Sequence, residues 1–283
     1  MKVEKPIIIV GVGRSGSTLF HRMFSEHPNV AWLSSEVSDR FPGRPNLNGL
    51  LMKAINFPIF GQLLKRVCSP GEPYDFWEYH CKGFTEPCRD LLAEDVTIRV
   101  KRKLPIALAN TLTQKRNRLL VKITGWPRIG FINEIFTDAR FIHMTRDTRA
   151  VINSMINVDW WTGWRGPHHL RCGELTSAQK EEWERFNRSF IALAGIELKI
   201  LTEAMKKAKE LVLDDNFMEV EYERLCADPL DVFKQVVNFC ELERSAEFEN
   251  RIKKQRLKSA NEKWRQGLTQ EQQQIAEYFA GSV

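Results

Sequence analysis

Apolar residues in this chain fall into two patterns, short unbroken runs and stripes with helical spacing, and the two alternate along the sequence. Residues 6 to 11 form a β-branched run that predicts a strand buried on both faces. A glycine-rich turn then leads into a predicted helix from about Ser17 to Ser25, and a second strand is expected over Asn29 to Ser34. Apolar runs return at Leu119 to Ile123 and Arg140 to Met144, each followed by a helical pattern, and both read as central strands. From Thr176, a capping box with Gln179 predicts one long helix whose Trp183, Phe186, Phe190, Leu193, Ile200 and Ala204 share a stripe turned to the core. Phe217 to Tyr222 reads as a last strand, Asp228 to Cys240 as a helix, and the segment from Thr269 as a final short helix. Such repeated strand and helix units predict an α/β fold of three layers, a central parallel β-sheet flanked by helices. Residues 37 to 117 break the alternation. They look helical and irregular, with an aromatic cluster at Tyr74, Phe76, Trp77 and Tyr79, and are expected to be an insertion within one domain spanning residues 1–283.

Composition narrows the class. With 43% apolar and 28% charged residues the chain has the make-up of a soluble globular protein, not of a disordered, collagen-like or coiled-coil one. Its 42 Lys and Arg against 36 Asp and Glu leave a net charge of +6, which favours anionic ligands without distinguishing nucleotide, sulfated glycan, nucleic acid or membrane. No nucleic-acid-binding module is recognisable. No run approaches the roughly 20 apolar residues that cross a bilayer, so no transmembrane segment is expected. The stretch PIIIVGVG is too short for a signal-peptide core and runs directly into Arg14, so a cytoplasmic location is expected. Cys68, Cys81, Cys88, Cys172, Cys226 and Cys240 form no CxxC pair. They are expected to be free thiols, with a Cys81 to Cys88 bridge as the alternative in an oxidising compartment. His168, His169 and Cys172 lack a fourth ligand and a helical frame, and no metal is expected there.

The strongest chemistry lies in Gly11-Val12-Gly13-Arg14-Ser15-Gly16-Ser17-Thr18, where a strand hands over to a helix and backbone N–H groups converge with the helix dipole. An anion is expected there, held by those amides, the Arg14 charge and the Ser17 and Thr18 hydroxyls. Gly11, Gly13 and Gly16 also satisfy GxGxxG, with Glu36 25 residues beyond Gly11 as a ribose ligand, which keeps a dinucleotide-binding oxidoreductase open. Gly11 and Gly16 have the spacing of GxxxxGK[ST] as well, but Ser17 stands at the lysine position, so a P-loop nucleotide kinase fits less well. The third reading is a loop for a single 5′-phosphate, with the cation at Arg14.

Arg14-Ser15-Gly16-Ser17-Thr18-Leu19 resembles the 5′-phosphosulfate loop of sulfotransferases that use 3′-phosphoadenosine-5′-phosphosulfate (PAPS). Phe141 to Ser154 is similar to the 3′-phosphate block of the same family, an apolar strand followed by an arginine and a serine eight residues apart, here Arg146 and Ser154. Arg146 can fork onto phosphate oxygens and Ser154 can donate a neutral hydrogen bond. Lys122, 24 residues before Arg146, resembles the strand-end lysine beside the sulfuryl group. Glu221-Tyr222-Glu223-Arg224-Leu225 resembles the Y-E-x-L segment near the adenine, and Lys258 to Arg265, with Lys263, Trp264 and Arg265, resembles the basic segment that closes over the nucleotide. The likeness covers residues 6–36 and 118–270, and implies a P-loop-containing sulfotransferase-like fold with the 37–117 insertion on the acceptor side.

Within that family the chain is similar to the tyrosylprotein and bacterial branches. Lys122 is followed by Ile123-Thr124-Gly125-Trp126, with no histidine where the cytosolic phenol and steroid enzymes place their base. Glu36, 22 residues after Arg14, resembles the glutamate base of the tyrosylprotein branch; a solvated acidic loop residue, or an ion pair with Arg40, is its plainer role. The resemblance implies a sulfuryl donor, PAPS, leaving as adenosine 3′,5′-bisphosphate, with Arg14 and Lys122 on the sulfuryl and leaving oxygens, Glu36 as base and no metal. A protein that binds the nucleotide without turnover is the other function class. The acceptor, whether small molecule, glycan, lipid or peptide, is not encoded in any motif. Trp160, Trp161 and Trp164, with Arg165, His168, His169 and Arg171, are candidates for one wall of its pocket, and Tyr74 to Tyr79 for the other.

Overall fold

The computed structural model describes residues 1–57, 59–86 and 88–282. Five parallel strands, β1 (Ile7–Gly11), β2 (Val30–Trp32), β3 (Arg118–Thr124), β4 (Arg140–Thr145) and β5 (Phe217–Glu221), form one sheet in the order β2-β3-β1-β4-β5. The Ile7–Gly11 run sits at the centre, where both faces are covered, so every residue in it is buried. Alternate side chains feed opposite cores. Ile8 and Val10 join Trp32, Val121, Ile123 and Phe141 on one face, and Ile7 and Ile9 join Leu120, Ile142, Met144, Phe20 and Phe233 on the other. With helices on both faces, the three-layer α/β arrangement expected from the sequence is present.

The register brings the strand ends that matter to one edge. Ile9 pairs with Lys122, Gly11 with Thr124, and Thr145 with Glu221, so the loop after β1 opens between the ends of β3 and β4. Open parallel sheets bind ligands at that edge.

Residues 37–117, of which positions 58 and 87 lie outside the described residues, fold into helices Pro45–Ala54, Phe60–Val67, Tyr74–His80 and Ile98–Ala109. Met52, Phe76, Trp77, Val100 and Leu104 from these helices share a core with Ala31 and Trp32 of β2. The second strand is shorter than its apolar run. Past Trp32 the chain pairs only through an isolated antiparallel bridge between Ser34 and Pro70.

The helix expected from Thr176 is two helices. Thr176 and Gln179 form their capping box, but the helix they open ends at Arg185, and a second runs from Phe190 to Lys209. Asn187 and Arg188 adopt left-handed backbone (φ 51° and 57°), and the Ser189 hydroxyl caps the next helix by accepting from the Ile191 N–H. The apolar stripe continues across the break, which is why spacing alone joined the two. Leu193 is buried as expected, whereas Phe190 is exposed and the second helix turns Ile191, Ile196, Leu198 and Leu201 inward instead.

All six cysteines are free thiols, with Cys81 buried and Cys88 exposed. Among the described residues no helix is long and apolar enough to cross a membrane.

Candidate functional site

The loop after β1 is shaped by two close approaches. Gly11 lies against β4, where a Cβ would meet the Met144 carbonyl oxygen at 2.7 Å. Gly16 takes φ 92° to start the helix Ser17–Phe24, and a Cβ there would stand 2.4 Å from the Tyr222 ring. Only glycine meets both demands. Arg14, between them, is also left-handed at φ 71°, a conformation that costs an arginine roughly 1–2 kcal/mol. That cost is tolerated because it turns the guanidinium toward the helix Thr148–Met155, where Arg14 Nε donates to Ser154 Oγ at 2.9 Å.

The second block closes on the first. Arg146, leaving β4, donates through Nη1 to the Arg14 carbonyl at 3.0 Å and lies 4.3 Å above the centre of the Tyr222 ring. Burial pushes its guanidinium below the ordinary arginine value, and the Tyr222 and Glu223 side chains act in the opposite direction. Arg146 Nε is held by Asn261 Oδ1 at 2.9 Å. Asn261 in turn bonds Glu223, whose carboxylate also accepts the Asp147 N–H at 3.0 Å. Arg146 makes neither of the ion pairs open to it in sequence: Asp147 pairs with Arg149, and Asp138 accepts the Lys5 amide. An open cleft of about 460 Å³ runs along Arg146, Asp147, Thr148 and Arg149 beside Glu221 and Glu223.

Lys122 rises from β3 on the other side of the loop. Its ammonium, almost wholly buried, donates to Thr18 Oγ1 at 2.7 Å and pairs with Glu72 at 3.1 Å. Glu72 arrives on the segment that the Ser34 and Pro70 bridge pins to the end of β2, and its second carboxylate oxygen is buried without a partner. Tyr74 follows two residues on. Burial of its phenol, reinforced by the Glu72 charge, pushes it up to about 12 against the hydrogen bond with Thr124. Beneath Lys122 lies His21, with both ring nitrogens unpartnered; burial first, then the Lys122 and Arg22 charges, press its pKa down to about 3.

Gly13, Arg14, Ser15, Gly16, Ser17, Thr18, Lys122, Arg146, Ser154 and Tyr222 thus lie around one edge of the sheet, while Leu19 packs partly buried on the sheet core. The Ser15 hydroxyl is fully buried inside the loop with no partner, beside the unsatisfied N–H groups of the first helical turn. Those donors fit a phosphate group. Glu36 occupies the first turn of a short helix, Ser35–Ser38, at the end of β2; it is exposed and accepts the Ser34 hydroxyl at 2.6 Å. Arg40 lies over the Phe41 ring instead of pairing with it. Trp264 is buried between the guanidinium groups of Arg149 and Arg265, at 4.9 and 4.6 Å, and Lys263 and Arg265 are exposed. Of the three tryptophans, Trp160 lies beside the loop, 3.3 Å from where a Gly13 Cβ would be; Trp161 is buried and bonds Glu197; Trp164 is exposed with Arg165 stacked on it. On the opposite side, Phe76 and Trp77 are core residues. Among the described residues no group of three or more His, Cys, Asp or Glu could hold a metal ion.

Glu72, Asn261 and Glu223 were not singled out by the sequence. Glu223 stands inside a segment whose tyrosine drew attention, and Asn261 inside the basic C-terminal stretch. Glu72, in the turn Ser69-Pro70-Gly71-Glu72-Pro73, has no spacing that ties it to Lys122.

A family model described as the sulfotransferase family matches residues 6–58 and 109–246. No curated protein sequence matches the chain. Among solved structures, sulfotransferase STF9 from Mycobacterium avium is 18% identical and aligns over 100% of this chain and 78% of its own with a TM-score of 0.59. The sulfotransferase domain from the curacin biosynthetic pathway is 14% identical over 99% of both chains, with a TM-score of 0.54. The sulfotransferase domain of the Synechococcus PCC 7002 olefin synthase is 18% identical over 99% of this chain and 96% of its own, with a TM-score of 0.50. At these identities the likeness is one of fold.

Proposed function

The chain belongs to the sulfotransferase family, and from that premise we propose that it moves a sulfuryl group from PAPS to a hydroxyl or amine of its acceptor. PAPS supplies the sulfuryl group and departs as adenosine 3′,5′-bisphosphate. The observation that supports this reading is the meeting of the loop after β1 with the segment after β4, with Arg14 bonded to Ser154 and Arg146 bonded to the Arg14 carbonyl. One nucleotide bearing phosphates at both its 3′ and 5′ positions suits that pair better than a dinucleotide or a nucleoside triphosphate does.

The amides of residues 15 to 18 and the buried Ser15 hydroxyl hold the 5′-phosphate. Arg146 and Ser154 hold the 3′-phosphate, with Tyr222 and the Lys263 to Arg265 segment on the adenosine side. Arg14 and Lys122 neutralise the charge that builds on the leaving oxygen, the largest contribution such a site makes. Glu36 takes the proton from the attacking acceptor as its oxygen or nitrogen bonds to sulfur. The site holds the reacting groups in line. Trp160, beside Gly13, stands where it would flank the acceptor.

Thermal melting with PAPS and ATP tests the donor: PAPS should raise the melting temperature strongly and ATP, which lacks the 3′-phosphate, should not. Stabilisation by NAD or NADP instead would move the chain to the oxidoreductase reading. Transfer of labelled sulfate across phenols, glycans, lipids and peptides then separates an enzyme from a nucleotide-binding protein and identifies the acceptor.

A further inference from the structure

Six large apolar side chains, Leu50, Phe57, Ile59, Phe60, Leu63 and Val67, are exposed within residues 50–67. In the helix Phe60–Val67 three of them, Phe60, Leu63 and Val67, recur about one turn apart and are 56%, 58% and 65% exposed. A helix on the surface of a water-soluble protein buries such a stripe. This one turns it outward, while Lys65 is tucked inward with its ammonium 2.8 Å from Glu26, and Leu64 makes the contact with the core.

The segment that carries the stripe is itself cationic, and Glu26, the carboxylate it meets, is already paired with both Lys65 and Arg251. No Asp or Glu occurs between Asp39 and Glu72, nor between Asp95 and Glu134. Within those stretches Lys53 and Arg66 are exposed beside the stripe, and Arg99, Arg102 and Lys103 are exposed on the helix Ile98–Ala109, which packs against Pro45–Ala54. A contiguous exposed apolar surface marks an interaction site, and exposed apolar side chains on a segment whose own charges are all cationic match an interface between anionic headgroups and acyl chains.

We propose that this face docks on an anionic lipid bilayer, with Phe60, Leu63 and Val67 entering the acyl boundary and Lys53 and Arg66 meeting the headgroups. A second copy of the chain fits less well, because a two-fold contact would set Lys53 and Arg66 against like charges with no carboxylate between residues 40 and 71 to pair them. Nucleic acid would satisfy the cations and leave the apolar stripe in water. Five residues after Val67 the chain reaches Glu72 and its contact with Lys122, so the docked helix leads directly into the segment that closes one side of the site. The docking proposal does not depend on the identity of the donor.

The test is sedimentation of the full chain with phosphatidylcholine vesicles with and without phosphatidylglycerol. Binding is expected to the anionic vesicles and to fall with added salt. The variant Phe60→Ser/Leu63→Ser/Val67→Ser is expected to bind about tenfold more weakly or worse, and Lys53→Glu/Arg66→Glu at least about fivefold more weakly for each charge removed. Melting temperatures check that the variants fold; should the triple variant fail, Leu63→Glu supplies the same comparison. No association with phosphatidylglycerol vesicles, or association that loss of the apolar stripe leaves unchanged, overturns the proposal. So does light scattering that shows a dimer which the apolar substitutions convert to a monomer.

Discussion

Arg14 Nε stands 2.9 Å from Ser154 Oγ, a single hydrogen bond that ties the loop after β1 to the helix Thr148–Met155, 140 residues on in sequence. Arg14→Ala removes both that tie and the cation, and the rate of sulfate transfer is expected to fall on the order of 100-fold or more. Arg14→Lys keeps the charge without the planar fork and should fall in between. Ser154→Ala is expected to weaken adenosine 3′,5′-bisphosphate about tenfold, measured by calorimetry, while leaving adenosine 5′-phosphate unchanged.

Asn261 supports Arg146 from behind. Its Oδ1 holds Arg146 Nε at 2.9 Å and its amide bonds Glu223. Asn261→Ala leaves the guanidinium without its orienting partner, so bisphosphate affinity should drop by about tenfold and the melting temperature should fall as well. Asn261→Asp tests orientation against simple charge: it preserves the acceptor for Arg146 but places a carboxylate against Glu223.

Gly16→Ala is expected to cost more than an ordinary glycine replacement. The left-handed backbone penalises any Cβ by roughly 1–2 kcal/mol, and the Tyr222 ring at 2.4 Å adds an overpacking cost of about 1–3 kcal/mol. Urea unfolding measures the total. Combining it with Tyr222→Ala should recover the second part and leave the first.

Two carboxylates near the site should respond differently. Glu36→Gln is expected to reduce turnover by about 100-fold or more with nucleotide affinity intact. Glu72→Gln removes the counterion of the buried Lys122 ammonium, so stability should fall by about 1–3 kcal/mol while PAPS, relieved of a competing anion, binds at least as tightly. Unchanged turnover in Glu36→Gln together with lost turnover in Glu72→Gln would shift the base role to Glu72.

Stability should decline in mild acid. His21 and His27 are held neutral in the folded chain, burial pressing them to about 3 and about 4 from an ordinary 6.5. The unfolded chain binds protons that the folded chain refuses, so stability is present above pH 6.5 and is lost as pH falls below it. Each histidine contributes a slope of about 1.4 kcal/mol per pH unit there. His21→Leu, which replaces a ring with no hydrogen-bond partner, should remove its own share of that slope in urea unfolding followed from neutral to acid pH.

Much of the fold and part of the site were legible because their signals are local. Ile7 to Val10 declares a central strand by its own side chains, and the glycine turn carries its backbone demands in its composition. Arg146, Ser154 and Tyr222 drew attention through the resemblance of their segments to family motifs, and the fold brings them to one side of the loop. Glu72, Asn261 and the place of Trp160 beside Gly13 were not legible, because each acquires its position from a segment distant in sequence. The break at Asn187 and Arg188 shows the opposite limit. The apolar stripe runs across that break, and spacing does not report backbone handedness.

The proposed nucleotide grip joins segments far apart in the sequence. Tyr222 is wedged between Gly16 and Arg146, and Arg146 is braced by Asn261, so the pocket is stitched from the first strand and from a residue near the carboxyl end. A chain lacking residue 261 would carry Arg146 without the Asn261 oxygen that braces its Nε. Under the proposed binding mode, a shortened chain that stops before residue 261 should therefore hold adenosine 3′,5′-bisphosphate less tightly than the full one.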